Sequence, residues 1–416
     1  MKNIIFISPN FPANYWHFCH ELKANGMNVL GIGDQPYDEL SDELKNSLNE
    51  YYKVTDLENY EEKYRAVAFL AFKHGRIDWL ESNNEYWLEH DARLRTDFNI
   101  TTGFQTADIS RAKYKSKMKK YFQRAHIPTA RFRLATSLKT CQAFAAEVGY
   151  PIIAKPDNGV GASYTCRIDN DEQLQAFYKG RRRNIRYILE EYIAGEVNSY
   201  DAIIDSHGDP VFETGNISPV SIMDIVNNEE NSVYYILNEL PEDIRQAGRA
   251  TVKSFDVKSR FVHFEFFRLA KRQKGLGKKG DLAALEVNMR PSGGFSPDMM
   301  NFAHSTNVYK IWADMIAYDR STVAAGKDAY CAFAGLRDAK RYALSHEEIM
   351  KKYGNNIRMV ERLPEALSGA MGNRMYLAVF DTEDEVQAFY KDVLMDPEQL
   401  QAQARPRRRR KKAAKN

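Results

Sequence analysis

Ten residues constrain this chain more than any others: Leu285-Glu-Val-Asn-Met-Arg-Pro-Ser-Gly-Gly294. Side chains of a strand alternate between two faces. Glu286, Asn288 and Arg290 therefore share one face, and Leu285, Val287 and Met289 share the other. The apolar face requires a core behind it. The polar face sets a carboxylate, an amide oxygen and a guanidinium in a row. The first two are hard oxygen ligands suited to Mg²⁺, and the guanidinium can clamp a phosphate or a carboxylate. Pro-Ser-Gly-Gly directly after the strand permits close backbone approach. The plainer alternative is a half-exposed edge strand with surface polar residues.

A second strand supports the first. In Phe261-Val-His-Phe-Glu-Phe-Phe-Arg268, Glu265 is flanked by aromatic residues and shares a face with His263. The turn-rich segment Gln273–Asp281 makes the two strands an antiparallel pair, which sets Glu265 roughly opposite Glu286. Like charges so placed are destabilising unless something neutralises them. A divalent cation is the economical explanation, with Glu265, Glu286 and Asn288 as its ligands. The alternative is that one of the acids faces water. For His263 the alternative is a structural histidine.

Upstream, Pro151-Ile-Ile-Ala-Lys-Pro-Asp-Asn-Gly-Val-Gly-Ala-Ser163 reads as a buried strand with Lys155 at its end. The small-residue loop that follows holds Gly159, Gly161 and Ser163, and its free N–H groups beside a lysine make a phosphate cradle. It is not a P-loop, because GxxxxGK[ST] is missing. In Ile188-Leu-Glu-Glu-Tyr-Ile-Ala-Gly-Glu196, an acidic strand end has apolar neighbours. Such a strand can read an adenine edge through its backbone, and Glu196 can hold ribose hydroxyls. Taken alone, it reads more readily as an ordinary strand end.

Around these segments the chain is ordinary globular material, with 44% apolar and 28% charged residues among 416. Residues 1–110 alternate strand and helix signals, which implies a parallel sheet with helices on its faces. Ser8-Pro-Asn-Phe-Pro12 stands where a dinucleotide fold would have its glycines, so NAD binding is not expected. Residues 111–325 open with a basic helix over 111–126 and then turn strand-rich, an antiparallel α+β region. Residues 326–396 read as a smaller α/β unit. Eight basic residues fall within Arg405–Lys415, so 397–416 reads as a disordered basic tail. Without those eight of the 59, the remaining 51 basic residues face 56 acidic ones, so the body is mildly acidic. Nucleic acid is expected to bind only weakly, through the tail. No apolar run reaches the ~18–20 residues of a membrane span. Cys19, Cys141, Cys166 and Cys331 lie far apart, which suits reduced thiols in the cytoplasm.

Taken in this order, the segments resemble the ATP-grasp superfamily, whose largest part is the carboxylate–amine ligases. The resemblance covers about residues 1–395. It implies a Rossmann-like pre-ATP-grasp domain at 1–110, followed over 111–325 by two lobes of antiparallel sheet that clasp ATP. Lys115, eleven residues before His126-Ile-Pro128, stands at the place of the family's first phosphate-binding lysine, with Lys113 as its rival. Lys155 matches the second. Glu190 looks like the acceptor for the adenine amino group, next to Glu191, with Tyr192 and Ile193 as backbone partners. Glu196 resembles the ribose-binding acid, although here it follows Gly195 at once. Glu265, Glu286 and Asn288 match ligands of one or two Mg²⁺, with Mn²⁺ as a substitute. Arg290 matches the arginine that stabilises the transferring phosphate, and Lys155 and His263 join it as candidate catalytic residues.

The implied reaction is ADP-forming ligation: a small carboxylate is phosphorylated to an acyl phosphate and an amine attacks it. Carboxylase or carbamoyl-phosphate chemistry keeps the fold and changes the acceptor. A nucleotide-binding regulator without ligase activity is the reading from a different class. No motif names the acid or the amine, and a homodimer is one option for assembly.

Overall fold

Asn3–Ile7 is buried at every position, and its alternate side chains enter two different cores. Ile4 and Phe6 pack with Phe18, Leu22 and Trp312, whereas Ile5 and Ile7 pack with Val67, Leu70 and Leu80. A strand covered on both faces suits a parallel sheet. The computed structural model, which describes residues 1–159, 164–219, 225 and 229–398, contains that sheet. Strands β1 (Asn3–Ile7), β2 (Asn28–Gly33), β3 (Glu50–Lys53) and β4 (Trp79–Glu81) run parallel in the order β3-β2-β1-β4. The helix Tyr60–His74 shows why these residues fold locally. The Asn59 side chain accepts from the N–H groups of Glu61 and Glu62, and Gly75 takes φ 86° at the other end. Strand order reverses direction between β1 and β4, so the loops after these two strands flank one crevice.

A second, antiparallel sheet contains β5 (Phe132–Leu134), β6 (Ile152–Pro156), β7 (Cys166–Ile168) and β8 (Tyr187–Glu191) in the order β5-β8-β6-β7. Its core lies against Cys141, Phe144 and Leu174 of the helices Leu138–Val148 and Asp171–Gly180.

The third sheet has nine strands: β9 (Gly195–Ile204), β10 (Pro210–Thr214), β11 (Asn216–Ser218), β12 (Ser232–Ile236), β13 (Arg260–Leu269), β14 (Leu282–Asn288), β15 (Tyr330–Leu336), β16 (Ile357–Arg362) and β17 (Arg374–Phe380). Its path is β14-β13-β9-β11-β12-β15-β17-β16, with β10 on β9. The edge strand β14 thus carries Glu286 and Asn288. The segment read as a separate C-terminal unit supplies β15–β17 of this same sheet.

The basic helix expected over 111–126 is broken in two, Ser110–Lys113 and Lys115–Arg124, with Tyr114 extended between them. The cause is Asp157. Its backbone oxygen accepts from Lys115 N–H at 2.9 Å, and its carboxylate accepts from the N–H and hydroxyl of Ser116 at 2.7 and 2.8 Å. A fresh helix start therefore forms at Lys115. Gly161, Ser163, the tail from residue 399 and most of the 218–232 loop lie outside the described residues. Among the described residues no helix is long and apolar enough to cross a membrane. All four cysteines are free.

Candidate active site

The paired strands β13 and β14 place Glu265 directly opposite Glu286 and His263 opposite Asn288. Paired residues share a face, so all four stand together, while Phe264 and Val287 enter the core behind. The two acids therefore face each other, as strand alternation implies. Each acid already has a cation from the protein. Glu286 Oε2 lies 3.0 Å from Lys115 Nζ, and Glu265 Oε1 lies 3.2 Å from His263 Nε2. No divalent ion is needed merely to hold the two carboxylates apart. Burial alone would push the Glu286 carboxyl up, but Lys115 and then Lys155 outweigh it and hold it at about 2. His263 is fixed from its other side by Asp201, with Nδ1 2.8 Å from Oδ1. Burial disfavours its charge, yet Asp201 and Glu265 more than offset this and raise the imidazole to about 10. With both ring nitrogens on carboxylates, His263 acts on Glu265 by orienting it.

Lysines approach from the other side of the cleft. Lys115 and Lys119 are one turn apart on the helix Lys115–Arg124 and share a face. Lys115 Nζ also donates to Gly159 O at 3.1 Å. Lys119 Nζ is 2.5 Å from Glu190 Oε1, and Lys155, at the end of β6, is 2.7 Å from Glu190 Oε2. Burial opposes the charge of Glu190, but Lys119 and Lys155 hold its carboxyl at about 2. Between the two lysines rivalling for the first phosphate position, the geometry separates them. Lys113 turns away to donate to Glu85 O at 2.6 Å, whereas Lys115 meets Glu286. Lys119 was not among the expected residues. Its only signal was its place one turn after Lys115.

The remaining expected residues are distributed unevenly. Glu191 points away from Glu190 and is taken by Arg131, whose N–H, Nε and Nη2 donate to it at 2.8, 3.0 and 2.7 Å. Tyr192 O accepts from Gln273 at 2.9 Å, and Ile193 is buried with Leu269 and Leu276. These two residues link β8 to β9, the hinge between the small and large sheets. Glu196 is not brought to the acids. It pairs with Arg268, whereas the β9 residues opposite Glu265 and His263 are Ser199 and Asp201. Glu196 therefore lies on the opposite face of the sheet, where burial raises its carboxyl.

Arg290 follows β14, where this edge is fastened to the crevice of the parallel sheet. Arg260 reaches Met289 O at 2.8 Å and Glu81 at 3.0 Å, and Glu81 also receives Arg95 at 2.9 Å. Met289 N–H donates to Glu85 at 3.3 Å, and Asn14 donates to Gly294 O at 3.2 Å. Tyr15 donates to Asn83 O at 2.8 Å. Burial pushes the Tyr15 phenol up to about 12, and Arg290 acts against that rise. All three sheets thus contribute to one cleft. Lys115, Lys155 and the Gly159 backbone suit a polyanion, Glu265, Glu286 and Asn288 offer hard oxygens, and Arg290, just past the end of β14, donates from Nη1 to Pro291 O at 2.6 Å.

No protein-family model matches the chain. Solved structures match it in fold over nearly its whole length. The L-amino acid ligase from Bacillus licheniformis is 16% identical with a TM-score of 0.67, covering 94% of this chain and 96% of that one. The N5-carboxyaminoimidazole ribonucleotide synthetase from Thermotoga maritima is 13% identical with a TM-score of 0.64, covering 97% and 98%. The biotin carboxylase domain of the Hydrogenobacter thermophilus 2-oxoglutarate carboxylase, solved with MgADP, ADP and bicarbonate, is 16% identical with a TM-score of 0.68, covering 94% and 89%. At these identities the likeness is one of fold, and the fold is the ATP-grasp fold.

Proposed function

We propose that this protein is an ATP- and Mg²⁺-dependent ligase that activates a small carboxylate as an acyl phosphate and joins it to an amine, releasing ADP and phosphate. The observation that carries this reading is the convergence of Lys115, Lys155, Glu265, Glu286 and Asn288 in one cleft of an ATP-grasp fold. The solved biotin carboxylase domain of that fold holds MgADP, which supports a nucleotide in the corresponding cleft here.

The donor set fits Mg²⁺ in a particular way. Among the described residues no group of three or more His, Cys, Asp or Glu is arranged to hold a metal. Two carboxylates and an amide fall short of a complete protein cage. Mg²⁺ is commonly bound by one or two carboxylates and completed by substrate phosphates, so an ion arriving with the nucleotide suits Glu265, Glu286 and Asn288. When bound, it neutralises charge on the transferring phosphoryl group.

The chain's own residues bind and orient. Lys115 and Lys155 take the nucleotide phosphates, Glu190 accepts from the base amino group, and the backbone of Tyr192 and Ile193 borders the base. His263 and Asp201 hold Glu265 in place. A substrate carboxylate oxygen attacks the γ-phosphorus, the bond to the bridging oxygen breaks, and ADP leaves. Arg290 balances charge on the mixed anhydride through its planar fork. The amine nitrogen then attacks the acyl carbon, phosphate leaves, and the amine gives up a proton. A screen of amino acids and small acids for Mg²⁺-dependent ADP release tests the reading. An acid–amine pair that stimulates release is expected, and bicarbonate as the sole stimulant would favour a carboxylase instead.

A further inference from the structure

Glu190 is gripped from two sides, by Lys119 at Oε1 and Lys155 at Oε2, at 2.5 and 2.7 Å. The two lysines stand differently. Lys119 projects from mid-helix and its side chain is 3% exposed. Lys155 lies one residue before the end of a strand and is 8% exposed. The two lysines therefore hold the two oxygens of Glu190 from different elements, a helix and a strand. A buried carboxylate needs one cation to avoid being left unpaired, and Glu190 has two. The surplus has a use if one of the cations must leave.

We propose that Lys119 is a positioning residue for nucleotide binding: it stays on Glu190 and so lets Lys155 leave Glu190 for the phosphates. The inference rests on the nucleotide reading above and adds a residue with no role in it. Without Lys119, withdrawal of Lys155 strands a buried carboxylate, so Lys155 remains locked. With Lys119 present, Lys155 exchanges one anion for another, and Glu190 keeps a cation throughout.

The test is calorimetric titration of the full chain with MgATP and, separately, with adenosine, alongside thermal unfolding of each variant. Lys119→Met is expected to weaken ATP by about tenfold or more and adenosine by less than about threefold, the size of one lost charge-assisted contact. Adding Glu190→Gln, which removes the charge that traps Lys155, is expected to return ATP affinity to within about threefold of Glu190→Gln alone. Lys119→Arg is expected to keep ATP binding. Equal losses of ATP and adenosine in Lys119→Met would overturn the proposal. So would a double variant no better than Lys119→Met, since Lys119 would then act on the nucleotide or the fold directly. If Lys119→Met does not fold, ATP affinity of the double variant is compared with that of Glu190→Gln, and a gap well beyond threefold overturns the proposal in the same way. A wild-type protein that binds neither ligand would overturn the nucleotide reading and this inference with it.

Discussion

Lys115 and Glu286 form a 3.0 Å ion pair that ties the helix starting at Lys115 to the edge strand of the large sheet. Both side chains are largely buried, so each is the other's main compensation. Lys115→Met removes the larger of the two cationic influences on the acid and leaves only that of Lys155, and is expected to cost about 3 kcal/mol of unfolding free energy. Lys115→Met/Glu286→Gln is expected to regain much of that. Urea unfolding of the single and double variants measures both. A single variant as stable as the wild type would show that the pair contributes nothing.

The metal assignment predicts a different signature. Glu286→Gln is expected to abolish Mg²⁺-dependent ATP turnover while the far-ultraviolet circular dichroism stays that of the wild type. His263→Gln, which loosens Glu265 without removing it, is expected to raise the Mg²⁺ concentration needed for half-maximal turnover. Normal Mg²⁺ dependence in Glu286→Gln would exclude this acid from the ligands.

Lys155→Ala is expected to weaken ATP far more than adenosine, because an ammonium at that position meets phosphates and not the base. Competition binding with the two ligands distinguishes this from general damage, which would lower both equally.

Glu190 predicts a pH dependence with a definite sign. Its carboxyl is held at about 2 in the folded protein, mainly by Lys119 and Lys155 acting against burial, whereas an unperturbed glutamate titrates near ~4.3. A depressed folded value gives stability that is present above about pH 4.3 and is lost as pH falls toward about 2. Denaturant unfolding is therefore expected to show a steeper loss over that window in the wild type than in Glu190→Gln. Parallel curves would contradict the ion-pair arrangement.

The parts of the site legible in the sequence were those written in a two-residue period. Glu265, Glu286 and Asn288 share a face because strand alternation and the connecting turn dictate it, and the observed register agrees. Lys155 was legible because a buried strand ended on it. Partners supplied from distant elements were not. Nothing near Glu286 indicates that Lys115 reaches it, and nothing near His263 indicates Asp201, 62 residues away. Lys119 sits in the lysine-rich run of the basic helix, and its burial is decided by what the helix packs against. Glu196 shows the converse error. It resembled a ribose-binding acid although it follows Gly195 at once, and alternation along β9 turns it to the face opposite Glu265 and His263. The strand Ser232–Ile236 and the helix Glu242–Phe255 had no expectation at all. The strand is short, and the helix follows Pro241 without a side-chain cap to mark its start.

The central claim is that the cleft makes an acyl phosphate, and hydroxylamine trapping tests it most directly. An acyl phosphate is a short-lived electrophile that hydroxylamine converts to a hydroxamate without the natural amine. With an acid already shown to stimulate ADP release, the wild-type protein, ATP and Mg²⁺ are expected to yield hydroxamate in step with ADP. Arg290→Lys is expected to bind ATP nearly normally and yield little, because an ammonium cannot reproduce the planar two-point contact. ADP formation without any hydroxamate at saturating hydroxylamine would contradict the account.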